Sequence, residues 1–391
     1  MPRSQASLHG KERLDRLRLI RSENVGPATF RHLVERFGSA AAAIEALPRL
    51  AARGGRAAPL RVISAGEAER EMATVERLGG RLVFQGEADY PPLLGRIEDA
   101  PPVVAVRGDA ALLRRPCIAI VGARNCSING KRIAEGIARD LGAAGFIVVS
   151  GLARGIDTAA HGGALETGTV AVMPGGMDVV YPPENEDLLA AIAGRGAVVC
   201  EAPPGARPVA RSFHRRNRII SGLSRGVLVV EAAHKSGSMI TARWAADQGR
   251  EVMAVPGSPL DPRAQGTNDL IRHGAALVES AADVIAAAGP ADRGEIAELR
   301  SAALAPSPGP AGTDDAPGLD GASAEREKIL SALGPTPTPV DEIVRGCHVS
   351  PSLAGAILLE LELAGRVQRH PGGRVSLMPV GLAEEAAPPL D

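Results

Sequence analysis

The stretch from Arg207 to Arg225 reads R-P-V-A-R-S-F-H-R-R-N-R-I-I-S-G-L-S-R. It holds six arginines, no acidic residue, and Phe213, one of five phenylalanines in a chain that is 2% aromatic. The 391-residue chain has a formal net charge of -1, so this cluster departs from the bulk composition. Guanidinium groups track phosphates, and a ring held among them can stack on an unpaired base, worth about 1–3 kcal/mol per base. The chemistry implied is binding of single-stranded nucleic acid with little sequence preference. The rival reading is a solvated basic loop with Phe213 buried in the core. Ser212, His214, Arg215 and Arg216 are all polar, which favours an exposed ring. The segment shows neither a strand's alternation nor the apolar stripe of a buried helix.

Three other segments could hold an anion. Gly122-Ala123-Arg124-Asn125 lies between a strand and a helix, where backbone amides and a helix N-terminus attract phosphate. Arg124 there can fork onto a phosphate, or it can form an ordinary surface ion pair. The run G-A-R-N-C-S-I-N-G lacks the spacing of a dinucleotide fingerprint. Ser150-Gly151 ends a second strand, and its glycine permits close backbone approach to a ligand. His234-Lys235-Ser236-Gly237-Ser238 introduces a helix with Ser238 as its expected N-cap; Lys235 is either an anion contact or a solvated side chain. Asp157, Thr158 and His161 resemble catalytic types, but no nucleophile accompanies them. The expectation is that Asp157 caps a helix beginning near Thr158, with His161 on the same face. No catalytic residue, metal site or cofactor is expected.

Composition narrows the class. A chain 45% hydrophobic and 23% charged fits a globular protein of two or three domains. Its near-zero net charge excludes a globally basic binder, so a nucleic-acid site must be a local patch. Cys117, Cys126, Cys200 and Cys347 form no C-x-x-C pair and have no ligand spacing for zinc. They read as reduced thiols of a cytoplasmic protein. The start of the chain has no apolar core of signal-peptide length, and no apolar run is long enough to span a membrane.

The apolar patterning then supplies the scaffold. Residues 12–78 read as helical, with Gly26-Pro27 marking a tight helix–turn–helix connection of the SAM or helix-hairpin-helix kind. Such a hairpin can hold a DNA backbone or serve only packing. From Cys117 to Ala288, seven short apolar strands alternate with helical segments. They begin at Cys117, Phe146, Val170, Ala197, Val227, Glu251 and Ala276. That pattern predicts an α/β fold: a doubly wound, Rossmann-like parallel sheet covered on both faces, with ligands at the carboxyl ends of the strands. Three domains and a linker are expected: a helical module over 1–85, the Rossmann-like domain over 86–289, a flexible linker over 290–322, and a winged-helix-like domain over 323–380. The third helix of that last domain, S-P-S-L-A-G-A-I-L-L-E-L-E-L-A-G, has two glutamates and no basic residue, which argues against phosphate binding.

Read together, I-V-G-A-R, V-S-G-L-A-R-G-I-D-T-A-A-H, Y-P-P-E-N, F-H-R-R-N-R-I-I-S-G-L-S, S-G-S-M-I-T-A and V-P-G closely resemble the DNA-processing protein A (DprA/Smf) family over about Tyr90 to Ile285. The resemblance implies a non-enzymatic protein that binds single-stranded DNA without cutting it. It implies protection of incoming strands in natural transformation and help in loading the RecA recombinase. It also implies a homodimer formed through the Rossmann-like domain, with no membrane association. Carried over by residue, Arg124 matches the DNA-contacting arginine of the turn. Phe213 matches the aromatic beside the groove, and Asn217 and Arg218 match the core of the R-N-R motif. Arg211 takes the charge role of a lysine common just before the phenylalanine. Gly122, Ser150, Gly151, Arg215, Arg216 and Lys235 complete the expected DNA-binding set. Three departures stand out: Ala123 replaces a common serine, Ala210 and Arg211 fill the lysine's region, and His214 replaces a common proline. The alternative is a nucleotide-processing enzyme of the phosphoribohydrolase type, but Pro174-Gly175-Gly176 is not followed by that family's threonine and paired glutamates.

Overall fold

The computed structural model describes residues 10–289, 323–370 and 372–378. The expected linker over 290–322 lies outside the described residues. The described chain opens with α1 (Gly10–Arg21), α2 (Pro27–Phe37), α3 (Ala40–Arg53) and α4 (Ala65–Arg77). The turn between α1 and α2 is the one expected at Gly26-Pro27: Pro27 occupies the first helical position, where its missing N–H costs nothing. Gly38 closes α2 in the left-handed conformation at φ 75°, which a side chain would strain.

The α/β region follows. It runs β1 (Gly80–Phe84), β2 (Val103–Gly108), β3 (Cys117–Val121), α5 (Ile128–Ala143), β4 (Ile147–Ser150), α6 (Ile156–Ala164) and β5 (Thr169–Met173). It continues through α7 (Glu186–Arg195), β6 (Ala197–Cys200), α8 (Ala210–Leu223), β7 (Gly226–Val229) and α9 (Gly237–Asp247). It ends with β8 (Glu251–Ala254), α10 (Gln265–Arg272), β9 (Ala276–Leu277) and α11 (Ala281–Ala288). The nine strands form one sheet in the order β1-β2-β6-β5-β4-β3-β7-β8-β9. From β6 to β9 every neighbouring pair is parallel, as the continuous apolar runs predict. Edge strand β1 and its neighbour β2, which the strand pattern did not reveal, join antiparallel: β1 to β2, and β2 to β6.

Alternation along each buried strand feeds two cores. Cys117, Ala119 and Val121 face one layer with Ile219, Ile220 and Leu223 of α8 and Ala242 and Ala245 of α9. Ile118 and Ile120 face the other with Ile137 and Leu141 of α5, Ala160 of α6 and Val284 of α11. Helices on both faces make the sheet doubly wound. Its topological switch point lies between β3 and β7, from which the strand order runs in opposite directions.

The remaining elements are α12 (Ser323–Ala332), β10 (Thr338–Pro339), α13 (Val340–Cys347), α14 (Pro351–Leu363), β11 (Val367–His370) and β12 (Arg374–Leu377). Three helices followed by an antiparallel hairpin are the winged-helix arrangement expected. Its core joins Ile329, Ile343, Ile357, Leu361 and Val375. Among the described residues the chain divides into two compact units: one holds residues 70–289, the other residues 10–69 together with 323–378.

Two readings change. The basic stretch, in which the sequence shows no helical stripe, is helical: the first turns of α8 are exposed and its residues from Arg216 to Leu223 are buried. Its apolar stripe is confined to the second half and interrupted by buried charged residues, which hid the helical period. The two glutamates of α14 are not surface charges. Glu360 is fully buried against Arg326 at 2.7 Å, and Glu362 pairs with Arg369 at 3.0 Å. Acidity there is an internal matter and not a repulsive surface.

Candidate nucleic-acid interface

The carboxyl ends of β3, β4 and β5 bring the first candidates together. β3 ends at Val121, and the Gly122–Asn125 turn leads to α5, whose N-cap Ser127 accepts from the Gly130 amide. Arg124 is exposed on this turn. Behind it Gly155 is required: its φ is 80°, and a Cβ there would lie 2.3 Å from the Ala123 carbonyl oxygen. Gly122 likewise approaches the Ile156 side chain too closely for any Cβ. The turn is thus wedged onto the start of α6, which fixes the direction in which Arg124 leaves the surface.

Phe213 reaches the same place from α8. Its ring belongs to neither core of the sheet and is partly exposed. The Arg124 guanidinium sits 5.3 Å from its centroid, a cation–π distance. Tyr181 packs edge-to-face with the same ring, with centroids 5.5 Å apart and an interplanar angle of 69°. Arg124, Gly151, Ala153, Arg154, Tyr181 and Phe213 line a shallow cleft of about 40 Å³. Small-molecule sites enclose roughly 300–1,000 Å³, so this is a surface platform. Tyr181 was missed from sequence because it lies 32 positions before Phe213 on an irregular segment; its rarity, as one of two tyrosines, was the available signal.

The rest of the arginine run divides by depth. At about 100° of rotation per residue, Arg211 and Arg215 share one exposed face of α8, while Phe213 lies on the opposite side with Arg216 and Asn217. Arg211 and Arg215 are therefore solvent-facing cations that do not join Phe213. Arg216 is 6% exposed; its Nη1 donates to the carbonyls of Gly151 and, at 2.7 Å, Val172. Burial holds its pKa down to about 10, with repulsion from Arg124 adding to the effect and the Asp157 carboxylate opposing it. It stays charged at neutral pH, and its guanidinium packs directly behind Gly151, one of the residues that line the cleft. Asn217 donates to the Gly237 carbonyl at 3.2 Å, tying α8 to the start of α9. Arg218 is 3% exposed and spans Glu201, at 2.7 and 2.8 Å, and Asp99, at 3.3 Å. These buried positions give Arg216, Asn217 and Arg218 structural partners where the sequence suggested DNA contacts.

Ser150 is fully buried and donates to the Ile120 carbonyl at 2.6 Å, so it also leaves the exposed set. Gly151 keeps its place beneath the cleft, where the Arg216 guanidinium fills the space a Cβ would need. Lys235 is exposed on the segment between β7 and α9. The N-cap of α9 is Ser236, two residues before the expected Ser238.

Asp157 does not cap its helix as expected. α6 begins at Ile156, and Asp157 instead accepts from the upstream amides of Gly151 and Ala153 at 3.1 and 3.3 Å, pinning the turn under the cleft. Burial raises its pKa while the neighbouring Arg216 lowers it. His161 is fully buried, with Nδ1 2.8 Å from Thr169 Oγ1, and burial holds its pKa down to about 3. Neither side chain reaches the surface that a general base would need.

The crevice at the switch point has a different chemistry. It encloses about 190 Å³ between α5 and the ends of β7 and β8. In this layout the N-terminus of the crossover helix receives phosphate. Here the Glu231 carboxylate occupies that position: it accepts from Ser127 N at 2.8 Å and Ser127 Oγ at 2.6 Å. A Cβ at Gly130 would lie 2.6 Å from its carboxyl carbon. A helix N-terminus already serving an internal anion repels a second one. Among the described residues no cluster of His, Cys, Asp and Glu could hold a metal, and no helix is long and apolar enough to cross a membrane.

Comparison with known proteins places this geometry. Residues 81–289 match the family of DNA recombination-mediator protein A, residues 10–74 the DprA-like N-terminal HHH domain, and residues 310–373 the DprA winged helix domain. The DNA processing protein DprA of Streptococcus pneumoniae is 46% identical over 203 residues, 50% of this chain and 70% of that protein. Protein Smf of Escherichia coli is 36% identical over 313 residues, 79% of this chain and 80% of that protein. The X-ray structure of the Streptococcus pneumoniae protein superposes with a TM-score of 0.59 at 33% identity, covering 69% of this chain and 95% of that one. With the resemblance running through the sheet, the helical module and the winged helix alike, this chain belongs to the DprA family of DNA-processing proteins.

Proposed function

We propose that this protein binds single-stranded DNA across the Arg124–Phe213 platform without cutting it, protects incoming strands, and helps load the RecA recombinase during transformation and recombination. The observation that carries the reading is a partly exposed ring held under an exposed guanidinium, 5.3 Å away, at the carboxyl ends of the central strands. The pair offers a base a face and a phosphate a charge within one nucleotide's reach. Arg211, Arg215 and Lys235 add exposed positive charge to the same domain, off the platform itself, while Arg216, Asn217 and Arg218 hold the surrounding elements in shape. A homodimer in the cytoplasm is the assembly that goes with this role in the family. The rival reading, a nucleotide-processing enzyme on the same core, is weakened by Glu231, whose carboxylate fills the phosphate position at the switch point.

A salt-series titration against single- and double-stranded oligonucleotides tests the reading, with adenosine monophosphate hydrolysis measured alongside. The expected result is preference for the single strand, no hydrolysis, and log K falling with log salt by about 0.7 per phosphate neutralised. Equal affinity for duplex, or affinity indifferent to salt, would remove the platform from consideration. Hydrolysis abolished by a change at the switch point would favour the enzyme.

A further inference from the structure

The third helix of a winged helix ordinarily enters a DNA groove. In this chain α14 is apolar on two sides. Ala354, Ile357, Leu358 and Leu361 face the winged-helix core. Leu359 and Leu363 fall on the opposite side at about 100° per residue, where a groove-reading helix shows its polar residues. They too are buried, at 4% and 0% exposure, yet belong to no part of that core. A helix apolar all round is one buried all round.

The cover is the chain's own N-terminal module. α3 packs along α14. The approach is so close that a Cβ at Gly54, the residue ending α3, would lie 2.0 Å from the Glu360 carbonyl oxygen and 2.8 Å from the Ala364 Cβ. From the α1–α2 turn, the Asn24 side-chain amide donates to the Leu363 carbonyl at 3.1 Å, satisfying an acceptor at the helix end. Glu360, on the same flank, is neutralised by Arg326 from within the winged helix.

We propose that α14 is a protein-docking helix whose partner is the N-terminal helical module of the same chain, and that this winged helix does not read a DNA groove. Its concealed face carries leucines and no cation, so undocking it uncovers an apolar surface and not a phosphate-binding one. The contact joins residues 10–69 to residues 323–378.

The test uses the full chain with a protease site introduced within residues 290–322 and cut after folding. The fragments should coelute on size exclusion at micromolar concentration. Gly54→Leu, which wedges the contact from one side, and Leu363→Lys, which charges it from the other, should each release the C-terminal fragment. Leu363 points away from the winged-helix core, so hydrogen exchange at Ile357 and Leu361 should stay slow in the released fragment and distinguish undocking from unfolding. Separation of the cut wild-type fragments would overturn the proposal, as would continued coelution of both variants. Duplex affinity in Leu363→Lys should match the wild type; a tenfold gain would show a masked DNA reader and overturn the second half of the claim.

Discussion

The two halves of α8 carry the same kind of residue and do opposite things. In the first half, Arg211 and Arg215 stand in solvent and Phe213 lies across a cleft. In the second half, Arg216 and Arg218 are among the most buried charges of the domain and each faces carboxylates: Asp157 for one, Glu201 and Asp99 for the other. The lesson is that an arginine's role is set by what the fold places opposite it. Where carboxylates and carbonyls converge, the guanidinium is consumed in holding strands and helices together; where none does, it is available to a ligand.

The largest effect expected from this contrast is on stability. Arg218→Ala would strand the part-buried Glu201 without its partner, a loss of about 3–5 kcal/mol. Arg211→Ala and Arg215→Ala should change stability by no more than about 0.5 kcal/mol. Thermal or denaturant unfolding of the three variants checks this, and equal melting temperatures would dissolve the contrast. Next comes the turn. Arg124→Ala should lower single-strand affinity by about 1.5–3 kcal/mol through loss of a charge-assisted contact, while the wedged turn keeps its fold. Binding unchanged in a folded variant would return Arg124 to an ordinary surface role.

A pH series probes the buried side further. The folded chain holds His161 near a pKa of 3, against an unfolded value near 6.5. Below pH 6.5 the unfolded chain takes up a proton that the folded one refuses, so stability falls as pH drops toward 3. Between pH 6.5 and 5 the loss attributable to this ring is about 2 kcal/mol. Comparing the pH dependence of unfolding in wild type and His161→Asn isolates that contribution; parallel curves would contradict it.

Much of the scaffold was legible because parallel strands buried on both faces read as uninterrupted apolar runs. Cys117–Val121 is such a run, fully buried along its length. The Gly26-Pro27 turn was legible through glycine and proline. What escaped depended on partners distant in sequence. α8 hid because Arg216, Asn217 and Arg218 occupy buried positions that a hydrophobic pattern assigns to solvent, their carboxylates and carbonyls lying on other elements. Glu360 and Glu362 read as surface acids until Arg326 and Arg369 were brought against them. Tyr181 stood out in the sequence only by its rarity, and its place beside Phe213 comes from the tertiary fold. Of the candidate site, Arg124 and Phe213 were identified as separate residues; their 5.3 Å pairing belongs to the tertiary fold.

The most direct measurement is a pair of experiments on Phe213→Ala: a single-strand binding titration at low temperature and a thermal melt. If the exposed half of α8 is the DNA surface, affinity should fall by roughly 1–3 kcal/mol. The melt should shift by no more than losing contact with Arg124 and Tyr181 requires, about 1 kcal/mol. A core ring would give the reverse, a stability loss of about 3–5 kcal/mol with affinity intact in the folded fraction, and that outcome would contradict the account.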